Sequence, residues 1–419
     1  MLTSLLFTLI AAIMLSSASP ENLIKESITL ETGKTYRLQD SEVTKYVIKD
    51  PSVVSISKKG KIKALKEGTT KVIAYNNKEK VKIYKVKVYD PQYVSLIAVG
   101  DNLYHDRIIK SGKQKDGSYD YTPIYSNIKD YIKDIDIKII NQEVILTSDS
   151  SKWAGYPSFA SPLEAGDAVL DAGFNVIMHA TNHSWDKSKS GALDSIRYWK
   201  SHEDVTLVGM YENQEDYDNI VVSEYNGVKV AFLNYTYGLN GHKLPSDSTY
   251  MVKLLDMKLV TSEIKKAKKL ADVVIVFPHW GEEYTNTPNS NQKKMAQQMA
   301  DAGADLIIGC HPHVIQPLET ITSSDGRSVP CYYSLGNFVS NMMQAERCVE
   351  AMAKVNIKKV GKKITIEAEA IPLVNFINSD DTKFTVYLLD NYTNEIAKKH
   401  ESGRLTPKFV KDLWNKVFK

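Results

Sequence analysis

Past Pro91 the chain alternates short apolar strands with amphipathic helical stretches, which limits this part to a layered α/β fold. Helices are expected around 123–133, 162–172, 189–202, 256–271 and 290–302, with a last one at 406–418. Between them run the strands VSLIAV, DIKII, FNVIM, VTLVG, DVVIVF and DLIIG. A hairpin carries an Asn226-Gly227 pair that suits a type I′ turn. Five strands deliver a polar residue just past their carboxyl end: Asp101; Asn141 and Glu143; Asn182 and His183; His279; and His311 with His313. In open α/β sheets that edge is where sites form. Carboxylate, carboxamide and imidazole groups together suit one or two divalent metal ions such as Mn, Fe or Zn. A single histidine after a strand is ordinarily a satisfied polar residue, but five deliveries to one edge point to a site. In His311-Pro312-His313 two imidazoles two residues apart can diverge toward two metals. His179 ends a strand without a partner motif and reads as structural. His202, His242 and His400 read as surface residues.

Residues before Pro91 have another texture. SITLETGKTYRL, YVIKDPSVVSIS, GKIKALKEGTTKVIAYN and KVKIYKVKVYD alternate apolar and polar residues between turn signals, with no helical period. They read as a small β-sandwich. Charge divides at the same place. Residues 21–90 hold 16 Lys+Arg and 9 Asp+Glu, a net of +7, so the formal +3 of the 419-residue chain leaves −4 for the rest. So small a total argues against nucleic acid as a partner. With 43% apolar and 25% charged residues, the chain is neither disordered nor a polytopic membrane protein. Three cysteines exclude a disulfide scaffold, although a bridge between Cys310 and Cys331 stays open. Residues 2–15 are apolar and lead into Ser16-Ser17-Ala18-Ser19-Pro20. They read as a signal-peptide core with a small-residue cleavage zone, or as an uncleaved anchor. Either reading places the chain outside the cell or at its surface. The expected organisation is 1–20 signal or anchor, 21–92 β-module, 93–378 α/β body, and 379–419 a helical extension packing on that body.

Two family resemblances follow. DPSVVSISKKGKIKALKEGTTKVIAY resembles the bacterial immunoglobulin-like domain of group 2, a spacer or adhesion module of surface proteins. Its lysine-rich face suits contact with anionic wall polymer, although a solvated spacer is the plainer reading. AVGDNLYHD, IINQEVILTS, ATNHSWD, LNYTYG, FPHWGEEY, ADLIIGCHPHVIQPLE and YSLGNF resemble the CapA family of capsule synthesis, over roughly 94–375. That family is linked to poly-γ-glutamate capsules. Its fold is related to calcineurin-like metallophosphoesterases, a layered β-sandwich flanked by helices.

The second resemblance implies roles by position. Asp101 and His313 would hold a first metal, Glu143 would bridge, and Asn182, His279 and His311 would hold a second. His183 would face the substrate as proton donor, oriented by Asp186. Asn141, His105, Trp280, Glu283 and Tyr284 would line the substrate pocket. The implied partners are an anionic envelope polymer, poly-γ-glutamate or similar, and capsule synthesis or export machinery at the membrane. The implied activity is metal-dependent hydrolysis; the alternative is a non-catalytic assembly, export or polymer-binding factor that keeps the ligands. One departure stands out. Metallophosphoesterases open with Asp-x-His, whereas Asp101 is followed by Asn102 and Leu103, and His105 falls two residues late.

Overall fold

The computed structural model describes residues 24–380 and 382–418. The apolar run at 2–15 and its proposed cleavage zone lie outside them. The chain divides into two compact units, one ending at Pro91 and one beginning at Gln92.

In the first unit, strands Ile24–Glu31, Glu79–Tyr89, Gly68–Asn76 and Lys45–Ile48 form one sheet in that order. Thr35–Arg37, Lys61–Ala64 and Val54–Ile56 form another. Strand alternation buries Ile62 and Ala64 and leaves Lys61 and Lys63 in solvent. Ile62 joins Val54, Val72 and Val86 in one core drawn from both sheets. The result is the small all-β sandwich that the alternating pattern predicts.

The second unit is a double sheet. Its larger sheet runs in the order Thr206–Val208, Val176–Met178, Ile137–Gln142, Gln92–Asn102, Val349–Val360, Lys363–Ile377, Phe384–Leu388. The other runs Val221–Tyr225, Val228–Thr236, Val273–His279, Leu306–Ile308, Ser328–Leu335, Ile315–Thr322. Ile97, Ile139 and Val355 of the first share a core cluster with Phe232, Ile275 and Ile308 of the second, so the sheets pack on each other. Each such buried Ile contributes about 1.5–3 kcal/mol relative to exposure. The alternate residues Leu233, Val274 and Ile307 point the other way. They pack on Val260 and Ile264 of helix Met257–Leu270 and on Ala296 and Met299 of helix Ser290–Ala302. That last helix opens on an Asn289/Gln292 capping box and stops at Gly303, φ 123°, as its sequence dictates. In the hairpin, Asn226 and Gly227 take φ of 49° and 79°, the two positive values a type I′ turn requires.

The parallel strands Gln92–Asn102, Ile137–Gln142 and Val176–Met178 bring their carboxyl ends to one edge. Val228–Thr236, Val273–His279 and Leu306–Ile308 do so in the other sheet. Residues past 378 are not purely a helical extension. FTVYL, rich in β-branched and aromatic residues, pairs as strand Phe384–Leu388 with Lys363–Ile377 before helix Pro407–Phe418 closes the chain. Cys310, Cys331 and Cys348 are free and buried. Among the described residues no helix is long and apolar enough to cross a membrane.

Candidate metal centre

Gly100 lets the strand ends close up. A Cβ on Gly100 would stand 1.9 Å from the carbonyl oxygen of Gly336, so only glycine lets strand Asn337–Val339 run beside Asp101. Asp101 is completely buried. Asn141 Nδ2 donates to its Oδ1 at 2.7 Å, and His313 Nδ1 lies 3.1 Å from its Oδ2. Glu143 is equally buried, and neither of its carboxylate oxygens has a hydrogen-bond partner. Oε1 stands 3.7 Å from His279 Nε2 and 3.9 Å from His313 Nε2. His311 Nδ1 is also buried without a partner. Ligand atoms of Glu143, His311 and His313 all lie within 4.8 Å of one another. His279 Nε2 is 2.8 Å from Asn182 Oδ1, and the His279 and His311 rings are 4.9 Å apart. His311 and His313 take φ of 100° and 58°, backbone strain that holds both imidazoles on this side of the turn.

Burying a carboxylate without a partner costs several kcal/mol. The unpartnered oxygens of Glu143 and nitrogen of His311 therefore fit a divalent cation, which takes both ligand types. Titration agrees. Burial pushes the Glu143 carboxyl well above its usual range, and the charge of Asp101 adds to the effect. Burial takes His279 far below the ordinary imidazole value and His311 to about 4, leaving both neutral at pH 7 and able to ligate. At His313 burial acts in the same direction, but Glu143 and Asp101 together outweigh it and raise this histidine to about 9. The resulting imidazolium faces both buried acids.

Beside this cluster His183 Nδ1 donates to Asp186 Oδ2 at 2.7 Å, and Phe159 N–H holds the same oxygen at 2.7 Å. Asp186 thus fixes the tautomer, leaving Nε2 to exchange a proton. Asn240 joins the two halves of the site. Its Oδ1 accepts from Asn182 at 3.1 Å, and its Nδ2 lies 3.3 Å from His183 Nδ1. Asn234 Oδ1 accepts from the backbone of His179 and Ala180, pinning the loop that carries Asn182 and His183.

Glu283 and Tyr284 stand at the mouth. Glu283 is exposed, and the Tyr284 ring lies 6.1 Å from that of His313. Other expectations need correction. Trp280 does not line the pocket. It follows His279 on the strand and so points to the opposite face, where it is fully buried and donates to Tyr333 O at 3.0 Å. Asn141 holds Asp101 from beneath instead of meeting solvent. His105 is half-buried, its Nδ1 3.1 Å from Leu103 O and its ring 5.2 Å edge-on to Phe159; it forms a wall of the site. Leu103 itself is core, so no ligand arrives from that position. His400 is buried because the chain end folds back and places Nε2 3.2 Å from Asn375 O. His179 is structural, bonded to Gln142 O and Ser195 Oγ.

Three residues without an assigned role complete the site: Tyr237, 4.6 Å from the His311 ring; Asn240; and Asn337, whose Oδ1 meets His313 Nδ1 at 2.9 Å. Tyr237 and Asn337 sit in LNYTYG and YSLGNF, motifs that end strands at this same edge, and that was the available signal.

Residues 95–342 match the family model of the bacterial capsule synthesis protein PGA_cap. Residues 10–86 match the bacterial Ig-like domain (group 2). The capsule biosynthesis protein CapA of Bacillus anthracis is 31% identical over 296 residues, 69% of each chain. The PGA biosynthesis protein CapA of Bacillus subtilis (strain 168) is 30% identical over 281 residues, 66% of this chain and 71% of the relative. Among solved structures, the NAD nucleotidase NadN of Haemophilus influenzae is similar at a TM-score of 0.44 and 11% identity, covering 78% of this chain and 60% of the other.

Proposed function

The chain belongs to the bacterial capsule synthesis family described by PGA_cap, and from that premise we propose that it is an exported, metal-dependent hydrolase acting on an anionic polymer of the capsule or envelope, poly-γ-glutamate or a chemically similar chain. The observation that carries this reading is the buried Glu143 carboxylate, unpartnered on both oxygens, next to the unpartnered Nδ1 of His311. Glu143, His311 and His313 would hold the cation, with Asp101, Asn182 and His279 around them. A bound divalent cation supplies a Lewis acid and an acidified water. The chain's own groups do the rest. His183, its Nδ1–H held by Asp186, would take up the proton of the attacking water at Nε2 and pass it to the leaving group. Asn240 keeps His183 in register with Asn182. Tyr237 and Tyr284 flank the His311–His313 turn and narrow the approach to it. The apolar run at 2–15 supports export, and the first unit serves as a surface spacer.

A second reading, a polymer-binding assembly factor that keeps its metal, draws on one observation: buried Leu103 stands where a ligand histidine would complete the first metal site. One experiment separates the two. Metal content of the full chain is measured beside turnover of phosphoester and γ-glutamyl substrates. Asn182→Ala and His279→Ala are expected to lose metal. His183→Ala is expected to keep it and lose about 10²–10⁴-fold in turnover. A wild-type chain that holds metal yet turns over neither substrate leaves the binding factor standing.

A further inference from the structure

Arg347 lies at the mouth of the same site. It sits in the short 3₁₀ turn Ala345–Cys348, half-buried, and its guanidinium carbon rests 3.5 Å from the centroid of the Tyr284 ring. Two separate ties register it against the histidines. Asn337 Oδ1 accepts from His313 Nδ1 at 2.9 Å, while its Nδ2 donates to the carbonyl oxygen of Arg347 at 3.1 Å. Tyr284, the ring beneath the guanidinium, donates its backbone N–H at 2.7 Å to Pro312, the residue between the two histidines. Tyr284 takes φ of 64° to do so, a conformation a bulky residue adopts only where the surroundings impose it. Among the described residues no carboxylate lies within ion-pairing distance of this guanidinium, although Lys268, Arg327 and Lys359 of the same unit are all paired.

A guanidinium stacked on an aromatic ring keeps its N–H donors directed outward in a fixed fork, the geometry that grips a carboxylate or phosphate through two hydrogen bonds. The ring takes up one face, limits side-chain motion and adds a cation–π attraction. We propose that Arg347, on its Tyr284 platform, is the specificity residue that binds an anionic group of the substrate, a carboxylate or a phosphate, next to the bond presented to the metal centre. This rests on the hydrolase reading above and adds the substrate's charge. It also gives a role to the positive φ and backbone hydrogen bond that set Tyr284 against the histidine turn.

The test uses the full chain loaded with Mn²⁺, with inorganic phosphate and a γ-linked glutamate oligomer as probes in calorimetric titrations. Arg347→Gln is expected to retain Mn²⁺ and its melting temperature and to weaken binding of one probe about 10- to 100-fold. Arg347→Lys is expected to recover only part of that, since a point charge replaces the fork. The probe that suffers more identifies the substrate group as phosphate or carboxylate. Unchanged affinity of Arg347→Gln for both probes overturns the proposal, as does a metal-loaded wild type that binds neither. A wild type that takes up no Mn²⁺ overturns the metal reading instead, and metal content alone reports it.

Discussion

The two edges of one double sheet both gather charge, and they do so in opposite ways. At the amino edge of the parallel strands a cavity of about 670 Å³ is lined by Lys268, Asp272, Asp305 and Arg327. Each acid there has its cation. Lys268 Nζ lies 2.6 Å from Asp305 Oδ2, Arg327 reaches Asp305 at 3.4 Å and Asp325 at 2.8 Å, and Lys359 meets Asp272 at 2.7 Å. Asp305 also accepts the backbone N–H of Val274 at 2.9 Å. At the carboxyl edge Glu143 is deeper, its oxygens take no hydrogen bond, and the nearest imidazole nitrogens stand 3.7 and 3.9 Å away. Convergence of charge is therefore not the mark of a site; convergence left unsatisfied is. A further buried acid, Glu350, lacks partners too. Burial, reinforced by the charge of Asp101, pushes its carboxyl well above the ordinary range.

Glu143→Gln tests this contrast most severely. Loss of an outer partner of a metal ligand already costs about 10–100-fold in affinity, so loss of this inner carboxylate is expected to exceed ~100-fold. The metal-free chain should melt no lower than wild type, because a neutral amide replaces a buried acid with no partner. Metal analysis after dialysis and melting in chelator check both halves. A melting temperature several degrees lower in chelator would make Glu143 a structural residue. Asp305→Ala is the counterpart at the amino edge. It strips the partner from Lys268 and Val274 N–H and should cost about 2 kcal/mol, tempered by the solvent around Lys268. Metal content should not change. A denaturant titration beside a metal assay decides it, and lost metal in this variant would erase the distinction between the edges.

How much of this was legible in the sequence depended on what each residue's neighbours in the chain reveal. Strand and helix periods are local, so the helix at 290–302 could be read, and the carboxyl edge followed from strand direction. Asp101, Glu143, His279 and His311 were legible because each ends a strand. Trp280 was misplaced because the family motif HWGEEY says nothing of alternation, and alternation turns it to the opposite face from His279. Asn141 was misplaced for a related reason: the strand end shows that a residue arrives at the edge, not whether it meets solvent or a neighbouring carboxylate. Asn240 and Arg347 were missed because their partners, Asn182 and Tyr284, lie 58 and 63 residues away along the chain. Such pairings are set by the packing of loops and carry no local signal. His400 was misread because a chain end that folds back onto a sheet looks, residue by residue, like any polar terminus.

The last test is one of pH, and here the two edges should part again. His313, raised to about 9, carries a proton at neutral pH. It must give up that proton to ligate, so metal affinity should climb between pH 6 and 9 by about tenfold per unit. His311, at about 4, and His279, lower still, are already neutral and add nothing in that window. The metal-free chain should behave in the opposite sense. A histidine whose folded value is raised contributes stability that is complete below its ordinary 6.5 and is lost as the pH passes through about 9. Melting temperature in chelator should therefore fall over the range in which metal affinity rises. At the amino edge Arg327 and Ser323 hold Asp325 at about 2, so its charge is constant throughout and cannot mimic the trend. Titrating Mn²⁺ in buffers of different ionisation enthalpy counts the protons directly. Affinity that stays flat from pH 6 to 9, with no proton released, would mean that His313 is not a ligand and that the carboxyl edge is satisfied in some other way.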